Sequence, residues 1–166
     1  MSVNLNVRDL MRIPVHSVHP RMPLIELDQE FIDKRVSGFP VVEDGKLVGV
    51  VSRSDVVRHL AFEQHLAETT SDFYRDSEGF HESPTEAIQD IANRVGQQIE
   101  NLCVRDLMSL HLVVVTVDDS IEVAAQKLCE SRIHRLPVVD QGRLAGILST
   151  LDLARLFANG RVKILR

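Results

Sequence analysis

The chain has 166 residues, 44% of them hydrophobic and 26% charged, with no Trp and a single Tyr. That is an ordinary globular composition whose apolar content lies in aliphatic side chains, which suits strands covered by helices. The formal charge of -5 is uneven. Residues 61–101 hold nine acidic and two basic side chains, which leaves the rest of the chain at about +2. No concentrated basic face is present for nucleic acid, and no apolar run approaches the roughly eighteen residues of a membrane span. The N-terminus lacks a targeting pattern, so the expected compartment is the cytoplasm. Cys103 and Cys129 are too few and too irregularly placed for a disulfide framework and read as buried reduced thiols.

Residues 1–6 read as an extended lead-in, Val7–Met11 as a short helix, and Ile13–Val18 as an edge strand interrupted at Pro14. Leu24, Leu27, Phe31 and Ile32 recur at helical spacing and predict a helix over Pro23–Lys34, which Gly38 follows as a breaker. Two valine-rich runs, Pro40–Glu43 and Lys46–Ser52, flank Asp44-Gly45. That dipeptide between strand formers predicts a hairpin, because both central residues of a type I′ turn need positive φ. Ser52-x-x-Asp55 then opens a helix carrying Val56, Val57 and Leu60.

The same order returns further along. A strand is predicted over Val113–Val117, a helix from Asp119 to Ser131, a hairpin at Gln141-Gly142, and a helix from Thr150 to Asn159 ending at Gly160. Pro40 and Pro137 stand 97 residues apart, and the same interval carries Gly45 onto Gly142, Gly49 onto Gly146, Ser52 onto Ser149 and Asp55 onto Asp152. It also carries Val7-Arg8-Asp9-Leu10-Met11 onto an identical pentapeptide at 104–108. The chain is therefore an internal repeat of strand, helix, strand, strand, helix.

This divides it into a first repeat over 1–60, an insertion over 61–103, a second repeat over 104–160 and a tail over 161–166, either a short strand or loose. In the insertion, the helix from Ser54 is expected to run through Leu66 to Tyr74. Ser83-Pro84-Thr85-Glu86 then opens another helix, with Ile88, Ile91, Ala92, Val95, Ile99 and Leu102 on one face.

Two readings of the paired Gly-h-h-Ser-x-x-Asp elements (h, apolar) stand side by side. In one, the serine caps a helix and the aspartate completes the capping box. In the other, the carboxylate accepts hydrogen bonds from two vicinal hydroxyls while the serine and free helix N–H groups face a phosphate. Gly49 or Gly146 then lets a flat ring approach the backbone, and the whole fits a nucleotide.

The doubled pattern, with Arg132-Ile-His-Arg-Leu-Pro-Val-Val-Asp140 ahead of the second hairpin, resembles a pair of CBS domains, the Bateman module, over about residues 7–60 and 104–158. The resemblance implies an α/β (α+β) fold of two pseudo-symmetric βαββα repeats packed through their sheets, leaving two clefts. It further implies an adenosine compound (AMP, ADP, ATP or S-adenosylmethionine) as regulatory ligand rather than required cofactor. By it Asp55 and Asp152 would hold the ribose, with Ser52 and Ser149 beside the ribose or phosphate. Val15, Val18, Leu112 and Val115 would border the adenine. His134 and Arg135 would meet phosphate, as in the gamma subunit of AMP-activated kinase, whereas Ser37 and Gly38 stand at those places in the first repeat.

One good site and one weak one are expected, and Arg53, Arg58 and Arg132 read as solvated. A homodimer and an unidentified effector protein are the implied partners. The chain shows no phosphate-binding Gly-rich loop, no nucleophile elbow and no metal-ligand spacing, so neither an enzyme nor a metal site is expected. The alternative is a dimerisation or protein-interaction module without a small ligand.

Overall fold

The computed structural model describes residues 5–59 and 100–160. A 3-10 turn at Val7–Asp9 is followed by helix α1 (Leu24–Asp33), strands β1 (Gly38–Glu43) and β2 (Lys46–Ser52), and helix α2 over residues 53–59. Then come helix α3 (Val104–Leu107), strand β3 (Val115–Thr116), helix α4 (Ile121–Glu130), strands β4 (Arg135–Asp140) and β5 (Arg143–Ser149), and helix α5 (Thr150–Ala158). The strands lie in the order β1-β2-β5-β4-β3. Of the helices expected for the insertion, residues 54–59 and 100–101 are helical and Leu102 lies beyond the helix end; their remainder, the strand or loose end after Gly160 and most of the lead-in lie outside the described residues.

Both hairpins turn as expected. Asp44 and Gly45 have φ of 51° and 78°, and Gln141 and Gly142 have 48° and 78°. These are left-handed values at both central positions, as a type I′ turn requires. β4 and β5 pair antiparallel, with a register shift between Val138 and Val139 opposite Gly146. β3 joins β4 in parallel through Val115 and Thr116.

Two expectations are corrected. Ile13–Val18 forms no strand; Arg12 before it and Val18 at its end make single bridges only, because Pro14 has no N–H to give a ladder and Ile13 is exposed. The cysteines are not buried: Cys129 is exposed and Cys103 half-buried, both as free thiols.

The chain forms two compact units that cut across the sequence repeats. Of the described residues, one comprises 5–17, 42–49 and 110–160; the other 18–41, 50–59 and 100–109. Each pentapeptide is thus built into the unit of the other repeat. In the first unit Val7 N–H donates to Asp119 O at 2.9 Å and Arg8 N–H to Val117 O at 3.1 Å. In the second, Val104 N–H donates to Met22 O at 2.9 Å and Arg105 N–H to Pro20 O at 2.8 Å. Every one of these residues has its counterpart 97 positions away.

The repeated aspartate of the pentapeptide caps its own turn. Asp9 Oδ2 accepts from Asn6 N–H, and Asp106 Oδ2 from Cys103 N–H, each at 2.9 Å. The Cys103 N–H, helped by the Cys103 thiol and Arg105, holds the Asp106 carboxyl below its ordinary range against the opposing effect of partial burial.

In the first unit, α4 turns Ala124 and Leu128 onto Leu136, Val138 and Leu148, and Val7 and Val115 complete that buried cluster. Its N-cap is Ser120, whose Oγ accepts from Val123 N–H. The second unit buries Leu24, Leu27 and Phe31 of α1, and the Phe31 and Phe39 rings stack with centroids 5.2 Å apart. The repeat offset places Leu128 and Leu136 where this unit has the two phenylalanines.

Candidate functional site

Each Ser-x-x-Asp element sits where a strand runs directly into a helix, β2 into α2 and β5 into α5. Ser149 has extended φ and ψ, and its Oγ accepts from Asp152 N–H at 3.3 Å. In return Asp152 Oδ2 accepts from Ser149 N–H at 3.0 Å and from Ser149 Oγ–H at 2.5 Å. Ser52 and Asp55 repeat the arrangement, with Asp55 Oδ2 accepting from Ser52 N–H at 2.8 Å and Ser52 Oγ–H at 2.6 Å. The capping-box reading is therefore correct at both junctions, and it commits only Oδ2 of each carboxylate.

The other oxygen distinguishes the copies. Asp55 Oδ1 accepts from Arg58 Nη1 at 3.4 Å, and its side chain is 17% exposed. Asp152 Oδ1 accepts from Arg12 Nε at 2.7 Å and from Arg155 Nη1 at 3.4 Å, and that side chain is only 6% exposed.

Arg12 reaches this place because its backbone exchanges both hydrogen bonds with Ile147 of β5, at 2.8 and 3.2 Å. Ser109, its counterpart, exchanges the same pair with Val50 of β2, at 2.8 and 3.1 Å. Gly146 lies beneath the neighbouring Met11, and a Cβ built on it would stand 2.6 Å from Met11 Sδ. Gly49 is buried in the equivalent position of β2.

His134 and Arg135 come to the second junction through their backbone. His134 O accepts from Thr150 N–H at 3.0 Å, and Arg135 stands opposite Ser149 in the β4–β5 register. Their side chains are exposed. Ser37 O accepts from Arg53 N–H in the same way at 3.0 Å.

Val18 and Val115 are core residues, paired with Val41 and Val138, whereas Val15 and Leu112 are half-buried. Arg53, read as solvated, places its guanidinium over the Phe31 ring, 5.5 Å from the centroid.

Sequence reasoning passed over Arg12, Met11 and Arg155. The available signal was the offset itself, which sets Arg12 against Ser109. Among the described residues no group of three or more His, Cys, Asp or Glu side chains could hold a metal, and no helix is long and apolar enough to cross a membrane.

Residues 7–62 and 104–159 each match the CBS domain. The chain is 32% identical over 158 residues to the uncharacterized protein MJ1426 of Methanocaldococcus jannaschii, covering 89% of this chain and 88% of that one. It is 31% identical over 143 residues to the chloroplastic CBS domain-containing protein CBSX1 of Arabidopsis thaliana, covering 85% of this chain and 58% of that longer protein.

Among solved structures it resembles CBSX2 in complex with AMP, at 28% identity and a TM-score of 0.67 over 95% of this chain and 98% of that one. It shares the fold of the CBS domain pair of MJ0100 in complex with 5′-methylthioadenosine and S-adenosyl-L-methionine, at 21% identity and a TM-score of 0.62, again over 95% and 98%. With both repeats matched and the fold common to these structures, the chain belongs to the CBS domain family.

Proposed function

We propose that the chain is a regulatory module whose two Ser-x-x-Asp cradles bind an adenosine compound, AMP, ADP, ATP or S-adenosylmethionine, and which passes occupancy on as a change of shape or partner affinity. The observation that carries this reading is the division of labour within each carboxylate. One oxygen fixes the side chain as a helix cap, and the other is the natural acceptor for a ribose hydroxyl, most accessible at Asp55. The rigid cap removes the entropy cost of orienting the acceptor, and the adjoining helix start supplies backbone N–H groups toward a phosphate. The likeness to CBSX2, whose structure holds AMP, supports the ligand class. A regulatory role without catalysis, a homodimeric state, a cytoplasmic setting and an unidentified effector protein belong to the same proposal.

A second reading, a protein-interaction or dimerisation module without a small ligand, draws on a different observation. Ile25 and Ile32 of α1, Val57 of α2 and Leu151 and Phe157 of α5 are each more than half exposed.

Thermal unfolding of nucleotide-free protein with each of the four compounds separates the two. A ligand at a hundred times its dissociation constant adds about 2.7 kcal/mol of stability. The ligand reading expects a raised midpoint for one compound, diminished in Asp55→Ala or Asp152→Ala. No shift with any compound at millimolar concentration leaves the interaction module as the better account.

A further inference from the structure

The two cradles are built alike and covered differently. Arg12 and Ser109 hold the same backbone position on their respective strands. From there Arg12 sends a guanidinium to Asp152, whereas a serine can deliver no cation to Asp55. Met11 lies over Gly146, but its counterpart 97 positions on is also a methionine, Met108, so the difference between the cradles rests on Arg12. Asp152 is thus fully engaged: its oxygens accept from Ser149 N–H, Ser149 Oγ–H, Arg12 Nε and Arg155 Nη1. Arg12 itself is 51% exposed, so it can turn into water at little desolvation cost.

We propose that Arg12 forms an internal latch on the Asp152 cradle, resting on the adenosine reading given above. A ribose hydroxyl that takes Asp152 Oδ1 must replace a charge-assisted hydrogen bond from Arg12 Nε with a neutral one. Occupancy of the second cradle therefore opposes the latch, and the Asp55 cradle fills first. This reverses the order expected from His134 and Arg135 alone. The latch is soft, because a half-exposed guanidinium loses only part of its interaction in water; it weakens the second site by about tenfold.

The test isolates the Asp152 cradle in an Asp55→Ala background and titrates full-length, nucleotide-free protein calorimetrically with AMP, ATP and S-adenosylmethionine. Adding Arg12→Ser, which installs the residue of the sister cradle, should tighten the remaining event by about tenfold. Unchanged or weaker binding in the double variant overturns the latch, the weaker case making Arg12 a ligand contact. If Asp152→Ala and Asp55→Ala each remove one event in the otherwise native chain while Arg12→Ser moves neither, the latch alone falls. If no compound binds the native chain or Arg12→Ser, the adenosine reading and the latch fall together.

A measurement on the unmutated chain guards against a folding defect in Asp55→Ala. The Arg12 Nε–H, which donates to Asp152 Oδ1 in the free protein, should show protection from exchange there and exchange rapidly with water once the second event saturates. Retention of that protection at saturation also overturns the latch.

Discussion

The junctions at Ser52–Asp55 and Ser149–Asp152 differ less in themselves than in what is brought to them. Their capping hydrogen bonds agree to within a few tenths of an ångström, and the strand bridges beside them agree as closely. Among the described residues, the side chain that reaches one aspartate and not the other is Arg12, with Ser109 in its place in the first copy, carried in on a segment from elsewhere in the sequence. Backbone geometry preserves a duplicated site, and single exposed positions on the exchanged segment make its two versions unequal.

The largest test of this comparison lies in the cores. Leu136 and Phe39 are equivalent, buried residues, but Phe39 also stacks on Phe31. Leu136→Ala should cost about 2–5 kcal/mol and Phe39→Ala about 3–5 kcal/mol in chemical unfolding, with the aromatic stack adding to the second. A smaller loss for Phe39→Ala would show that the stack contributes nothing beyond an aliphatic pair.

A middle-sized effect sharpens the contrast between the cradles. Each Asp→Ala change removes a helix cap, worth about 1 kcal/mol. Asp152→Ala also leaves Arg12 without its buried partner, so it should destabilise by about 1 kcal/mol more than Asp55→Ala. Equal losses in thermal unfolding would mean that the Arg12 contact adds no stability.

The smallest effect concerns the capped pentapeptide at 104–108. Asp106 has a carboxyl held low in the folded state, so its contribution is present above the unfolded value of about 4 and disappears as pH falls through the lowered folded value. Asp106→Asn should lower stability at pH 7 by only a fraction of the ~1 kcal/mol of a buried cap, because Asp106 is exposed and screened. The difference between variant and native protein should shrink below pH 4, and a difference that persists at pH 2 would remove the charge from the explanation.

The repeat, the hairpins and the caps were legible because each depends on local chemistry: Asp-Gly between strand formers, serine before a helix, apolar residues at helical spacing. The exchange of pentapeptides was not. Val7–Met11 and Val104–Met108 are identical, so nothing in their composition says which repeat each will join; chain connectivity and the bridges at Arg12 and Ser109 decide it. The candidate site was legible at its serines and aspartates and hidden at Arg12, which stands just past the repeated pentapeptide and acquires its role only through a partner 140 residues away. The thiol of Cys129 was misjudged for a simpler reason. Its helix buries Ala124 and Leu128, and Cys129 falls on the opposite side.

The crossed hydrogen bonds of the two pentapeptides bear on where the chain can be cut. A fragment holding the second repeat from residue 104 onward would keep its own pentapeptide, which bonds to residues 20 and 22, and would lack the one that bonds to residues 117 and 119. Each compact unit thus closes with a backbone segment that only the other repeat carries to it.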